Sequence, residues 1–146
     1  GVEIGYFGRS PKQVDYRYFD DLLALAQWAD ILMVACPGGD ATKGIVNAPV
    51  LSALGKDGYV VNIARGLVID EPALIDALRN GVIAGAGLDV FHNEPNMDRA
   101  FADFDTVVLY PHSASGTVET RDAMAQLVVD NLDAWDQRGE LVTPVV

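Results

Sequence analysis

The sequence predicts an α/β protein built on a doubly wound parallel sheet. Two observations carry that expectation. Short apolar runs alternate with longer segments whose hydrophobic residues recur at helical spacing, as βαβ units require. The apolar runs also end on glycine, proline or charged residues, as strands do when they open into loops on one rim of a sheet. With 146 residues, 50% of them hydrophobic, the chain can fill a core without disulfides or metal staples.

The elements follow in order. Val2 to Phe7 reads as a strand and Gly8-Arg9-Ser10-Pro11-Lys12 as a loop. Phe19 to Ala29 reads as a helix with Leu22, Leu25, Ala26 and Ala29 on one face. Ile31 to Cys36 is almost wholly apolar, the pattern of a strand covered by helices on both faces. A short helix from Ala48 to Leu54 stops at Gly55, and a strand from Tyr59 to Ile63 breaks at Arg65-Gly66. Asp70-Glu71-Pro72 has the form of a helix start and Arg79-Asn80-Gly81 that of its stop. A strand from Ile83 to Val90 precedes a long loop from Phe91 to Asp105. The strand ending at Tyr110 follows, and last comes a helix from Val118 to Gln137, capped by Thr117, with Met124, Leu127, Val128, Leu132 and Trp135 on one face.

Charge and cysteine content narrow the function. Ten Lys+Arg against 21 Asp+Glu leave a net charge of −11, which repels nucleic acid and anionic membranes and favours a small ligand or a soluble partner. The single Cys36 forms no intrachain disulfide, and no Cys/His spacing matches a zinc site, so no metal is expected. The longest apolar runs are too short to span a bilayer, and the N-terminus lacks a basic region followed by an apolar one. These features read as a cytoplasmic protein.

In a doubly wound sheet, ligands sit outside the carboxyl ends of the strands. Those ends carry Gly8-Arg9-Ser10, Cys36-Pro37, Ala64-Arg65, Asp89 with Glu94 beyond it, and His112. His112 follows Pro111 at a strand tip and precedes the small residues Ser113, Ala114, Ser115 and Gly116, so it is either an acid/base group or the cap of a surface turn. His92 reads as an ordinary exposed loop residue.

Several of these segments carry a resemblance. Asn62-Ile63-Ala64-Arg65-Gly66, Gly85-Ala86-Gly87-Leu88-Asp89-Val90-Phe91, Glu94-Pro95 and Pro111-His112-Ser113-Ala114-Ser115 look like signature segments of the D-isomer-specific 2-hydroxyacid dehydrogenases. The whole chain resembles the later part of that family's Rossmann-like nucleotide-binding domain. Gly5 to Ser10, Ala35-Cys36-Pro37 and Ser115 to Arg121 most resemble the NADPH-dependent glyoxylate/hydroxypyruvate and hydroxyphenylpyruvate reductases.

The resemblance implies roles. Reduction of a 2-keto acid needs a hydride at the carbonyl carbon and a proton at its oxygen. Matched to the family pattern, His112 is the proton donor and Glu94 the carboxylate that hydrogen-bonds it, since an anion beside an imidazole favours its charged form. Arg65 holds the substrate carboxylate with a planar, permanently charged fork. Asp89 sits near the nicotinamide, and Cys36, Pro37, Ala64 and Ser115 belong to the cofactor site. The resemblance also implies a homodimer, with the Phe91 to Asp105 loop as a contact region.

The loop after the first strand speaks to cofactor choice. An NAD-preferring domain places an acidic residue there for the ribose 2′-hydroxyl; here Gly8 is followed by Arg9, Ser10 and Lys12, which suit the 2′-phosphate of NADPH.

One departure is large. The glycine-rich phosphate loop precedes the 2′-ribose residue by roughly 20 positions, yet only seven residues precede Gly8. Gly85-Ala86-Gly87 lies within a strand and does not replace it. The domain therefore reads as lacking its first strand, which lies mid-sheet between the second and fourth, and its glycine-rich loop. The expectation is a piece of a longer protein: residues 1–116 form a partial dinucleotide-binding domain, and residues 117–146 a helix and tail returning toward a missing substrate domain. The expected activity is reduction of glyoxylate or hydroxypyruvate. The alternatives are a phosphoglycerate dehydrogenase, against which Gly8-Arg9 counts, and a non-catalytic nucleotide-sensing protein of the same fold.

Overall fold

A computed structural model describes residues 1–145, so of the tail read from Leu141 to Val146 only Val146 lies outside the described residues. The chain divides into two compact units, Gly1–His112 and a second beginning at Ser113.

The first unit alternates strands and helices as the periodicity predicts. Its elements are β1 (Gly5–Phe7), β2 (Arg17–Phe19), α1 (Leu22–Trp28), β3 (Ile31–Val34), α2 (Ala48–Leu54), β4 (Tyr59–Asn62), α3 (Glu71–Arg79), β5 (Gly85–Leu88) and β6 (Val107–Leu109). All strand pairings are parallel. They form two sheets, β1-β2 and β3-β4-β5-β6, so the hydrogen-bonded ladder is interrupted between β1 and β3.

Local chemistry sets the helix ends. The Asp21 carboxylate accepts from the backbone N–H groups of Leu23 and Ala24, the Asn47 amide oxygen from Val50, and the Asp70 carboxylate from Ala73, and each of these three residues caps a helix. Gly55, at φ +81°, ends α2. Phe19 belongs to β2 and not to α1, a correction to the expected helix from Phe19. Its ring is buried against Trp28 at 5.4 Å, so tertiary packing of a three-residue strand overrides the helical periodicity.

The sheet register shows which face is covered. Leu32, Val34, Val60, Asn62, Ala86 and Leu88 are buried on the helix side. On the opposite face Ile31, Met33, Tyr59 and Val108 are exposed. The expectation that Ile31 to Cys36 is covered on both faces is therefore corrected: β3 spans Ile31–Val34 and alternates exposed and buried residues. α2 packs against both α1 and α3, so the helices gather on one side of the sheet.

The loop after β5 is pinned by aromatic burial. Phe101, in a 3₁₀ turn at Arg99–Asp103, is fully buried, and its ring lies 6.3 Å from that of Phe91. Each such ring contributes about 1.5–3 kcal/mol when removed from water. The exposed stretch between them, which carries Glu94, is thereby anchored at both ends.

In the second unit α4 (Val118–Arg138) starts at Thr117, whose hydroxyl accepts from the Thr120 N–H, and ends at Gly139 with φ +67°. Asn131 ties the tail back to the helix: its amide donates to the Thr143 hydroxyl at 3.0 Å and accepts from the Thr143 N–H at 3.1 Å. Among the described residues no helix is long and apolar enough to cross a membrane.

Candidate active site

Arg65 leaves the carboxyl end of β4 on a turn built by Asn62. The Asn62 side chain is 1% exposed; its amide oxygen accepts from the Ala64 N–H at 3.0 Å and its amide nitrogen donates to the Arg65 carbonyl at 3.1 Å. A buried amide satisfied on both sides holds a turn firmly, because neither group has water to turn to. The Arg65 guanidinium donates to the Ala64 carbonyl at 2.6 Å, and its stem crosses Gly38, where a Cβ would lie 2.7 Å from Arg65 Cγ. No ion pair engages Arg65 among the described residues.

The next residue, Gly66, brings a second loop close. A Cβ there would lie 2.0 Å from the Phe91 carbonyl carbon and 2.3 Å from the His92 nitrogen. Only a residue without a side chain allows this backbone approach. The loop so admitted carries Glu94, one of whose carboxylate oxygens accepts from the Phe91 N–H at 2.9 Å.

The other Glu94 oxygen lies 2.6 Å from Nδ1 of His112. His112 follows β6 and Pro111 with φ +50°, a left-handed conformation that few non-glycine residues adopt. Its own N–H donates to the Tyr110 carbonyl at 3.0 Å, closing the turn that aims the ring at Glu94. The hydrogen bond with His112 and then the Phe91 N–H hold the Glu94 carboxyl below its ordinary value against the opposing effect of burial; the charges of His112 and Arg65 act in the same direction.

Arg65, Glu94 and His112 line one cleft of about 490 Å³, together with His92, Asp40 and Lys43. His92 is thus exposed, as its loop position suggests, but it borders the site. A second cleft of about 420 Å³ gathers Ala35, Cys36, Pro37, Gly38, Ala64 and Arg65. Arg65 borders both. Burial pushes the Cys36 thiol up from its ordinary value, keeping it protonated, which suits a wall residue and not a nucleophile. Small residues make up most of this second cleft, which lies beyond the carboxyl ends of β3 and β4, the rim on which parallel α/β sheets bind ligands.

The remaining candidates fall elsewhere. Asp89 is buried at the end of β5, with its N–H donating to the Asn62 carbonyl. Arg9, Ser10 and Lys12 are exposed on the loop between β1 and β2. That loop is fixed by two tyrosines: the Tyr6 hydroxyl accepts from the Lys12 N–H at 2.6 Å, and the Tyr18 hydroxyl donates to the Gly8 carbonyl at 3.1 Å. Ser115 belongs to the second unit, in the turn before α4. Sequence reasoning did not single out Asn62 or Gly66 as builders of the site, nor Asp40 and Lys43 as its lining. The available signal for Asn62 was an amide closing an otherwise apolar strand.

A parallel α/β domain whose polar groups converge on the carboxyl rim of its strands, with a paired His and carboxylate beside an Arg that has no ion-pair partner among the described residues, defines the nucleotide-binding half of a dehydrogenase. The chain belongs to the D-isomer specific 2-hydroxyacid dehydrogenase family, whose NAD binding domain matches residues 1–114. It is 50% identical over 147 residues to a 2-ketogluconate reductase of Gluconobacter oxydans, covering 100% of this chain and 47% of the relative. It is 49% identical over 144 residues to a hydroxyphenylpyruvate reductase of Plectranthus scutellarioides, covering 98% and 46%. Among solved structures, an NADPH-dependent glyoxylate/hydroxypyruvate reductase from Sinorhizobium meliloti, in complex with NADP and malonate, is 51% identical with a TM-score of 0.93, covering 100% of this chain and 46% of that one. The chain spans about half the length of the relatives it matches.

Proposed function

We propose that this chain supplies the cofactor face and the proton donor of a reductase that converts a small 2-keto acid, glyoxylate or hydroxypyruvate, to the D-2-hydroxy acid using NADPH. The observation that carries the proposal is the 2.6 Å pairing of His112 with Glu94 on the cleft that Arg65 also lines.

In this reading the substrate carboxylate docks on the Arg65 guanidinium, which has no competing carboxylate partner among the described residues and presents two parallel donors. With Nδ1 engaged by Glu94, His112 has Nε2 for the keto oxygen. Glu94 fixes the orientation of the ring, so that a proton on Nε2 can pass to that oxygen as charge develops there. Bound NADPH supplies the hydride. Ala64, Cys36, Pro37 and Gly38 wall the cofactor ring, and Asp89 completes that wall; Ser115 is a cofactor residue by the family pattern alone. Arg9, Ser10 and Lys12 bind the 2′-phosphate; the tyrosine-fixed loop and the NADPH dependence of the Sinorhizobium relative support this.

Residues 1–116 act as the partial dinucleotide-binding domain, and residues 117–146 return to a substrate domain elsewhere in the full-length protein. The exposed Met124, Leu127, Val128, Leu132 and Trp135 on α4 support a packing partner of that kind. The working enzyme is a cytoplasmic homodimer.

The test is steady-state NADPH oxidation by the full-length protein against glyoxylate, hydroxypyruvate, hydroxyphenylpyruvate and 2-ketogluconate. Turnover with glyoxylate or hydroxypyruvate supports the proposal. Tight NADPH binding with no turnover of any acid would reject it in favour of a nucleotide sensor.

A further inference from the structure

Glu71 does not line the cleft that Arg65, Glu94 and His112 share. It is the first residue of α3, half-buried, and one of its carboxylate oxygens accepts a short hydrogen bond from the His92 N–H, 21 residues further on. The amide next to it in sequence, Phe91 N–H, donates to Glu94, and Glu94 in turn holds His112. Two consecutive amides are therefore captured by two carboxylates: one rooted in a helix, the other turned to the imidazole.

We propose that Glu71 is a positioning residue for the proton donor: by accepting from the His92 N–H it locks the Phe91–Glu94 turn to α3 and so fixes the Glu94 carboxylate against His112. Burial of Phe91 and Phe101 anchors the two ends of this stretch, but apolar burial has no direction. Glu94, Pro95 and Asn96 are exposed, and the turn sits against Gly66 by close backbone approach, which fixes distance but supplies no directional bond. Glu71 supplies the direction. Its own place is secured because Asp70 caps α3 and the helix N-terminus favours an anion in its first turn. A charge-assisted hydrogen bond of this kind is about twice as strong as a neutral one.

The role of Glu71 in turnover rests on the proposed reductase activity, but its structural consequence does not. The charged groups facing Glu94 are His112 and Arg65, with His92, Asp40 and Lys43 on the same cleft. If Glu71 orients the turn, its removal lets Glu94 drift from both His112 and the Phe91 N–H, and the Glu94 carboxyl titrates closer to its ordinary range.

The experiment follows the Glu94 carboxyl carbon by NMR titration in the full-length protein, beside kcat and KM. Glu71→Ala is expected to raise the Glu94 midpoint by roughly half a pH unit or more. It is also expected to lower kcat several-fold while leaving the KM for NADPH unmoved. Glu71→Gln keeps an oxygen for the His92 N–H and is expected to titrate as wild type. Glu71→Asp, one methylene short, is the substitute where the alanine variant does not fold. An unmoved Glu94 midpoint in Glu71→Ala overturns the inference, as does an equal shift in Glu71→Gln or loss of folding in both the Ala and Asp variants. A wild-type protein without turnover but with the Glu94 shift intact would reject the reductase reading and leave the positioning role standing.

Discussion

His112 Nδ1 and Glu94 Oε2 stand 2.6 Å apart across 18 residues of sequence, and the second oxygen of the same carboxylate is tied to its own loop by the Phe91 N–H. Because that pairing lowers the Glu94 pKa in the folded protein, its sign with pH is fixed. The stability it contributes is fully present above the ordinary carboxylate value and is lost as pH falls through the depressed folded value. Activity that depends on the ionised pair should show an acid limb below the ordinary carboxylate range. Glu94→Gln removes the titrating group, so the pH profile of kcat/KM should lose that limb while kcat falls by roughly 10- to 100-fold. A variant that keeps both the limb and the rate would show that Glu94 has no part in proton delivery.

Gly66 is where the Arg65 and Glu94 loops meet, and the atoms it faces are backbone, which cannot rotate aside. Gly66→Ala should therefore destabilise the protein by roughly 1–3 kcal/mol or more and separate the two loops. Thermal unfolding should show a Tm lower by several degrees, with kcat reduced in the fraction that stays folded. An unchanged Tm would mean the loops lie farther apart than described.

Asn62 links stability to substrate binding. Asn62→Leu leaves the buried Ala64 N–H without its partner, at about 1–3 kcal/mol, and takes from the Arg65 carbonyl one of two bonds, the Val68 N–H remaining. Since the turn they form aims Arg65, the KM for the keto acid should rise well beyond that for NADPH. Parallel increases in both constants would assign Asn62 to general stability alone.

Where the determinant is local, the chain could be read directly. The helix Ala48–Leu54 stops at Gly55, and α3 is bounded by Asp70 and Asn80-Gly81, so these helices fall where sequence places them. The strand Arg17–Phe19 was not readable, because three residues have no periodicity and its pairing with β1 lies 12 positions back, Arg17 opposite Gly5. The same holds in the site. Arg65, Glu94 and His112 announced themselves as charged or titratable groups just beyond strand ends, and the fold brings all three to one cleft. Asn62, Gly66 and Glu71 shape that cleft through contacts whose partners are either backbone atoms or distant in sequence, and residue type alone does not reveal such partners. The two exposed faces, of β3 and of α4, carry apolar patterns whose covering residues lie outside what periodicity can name.

The loop from Gly8 to Lys12 offers the last prediction, on cofactor choice. Tyr6 and Tyr18, whose rings lie 5.3 Å apart, hold this loop from both strands, so Arg9, Ser10 and Lys12 are presented from a fixed backbone. A fixed cationic loop gains affinity for a 2′-phosphate by avoiding the cost of ordering it on binding. Arg9→Asp replaces a charge-assisted donor with an anion, which repels the 2′-phosphate but can accept from a 2′-hydroxyl. The expected result is a KM for NADPH raised by roughly 10-fold or more, from the loss of about 1.5–3 kcal/mol of charged hydrogen bonding, with the KM for NADH unchanged or lower. Tyr6→Phe should act more weakly in the same direction, since it frees the Lys12 end of the loop and leaves Arg9 in place. Equal effects of Arg9→Asp on both cofactors, measured by initial rates at saturating keto acid, would show that this loop does not read the 2′ position.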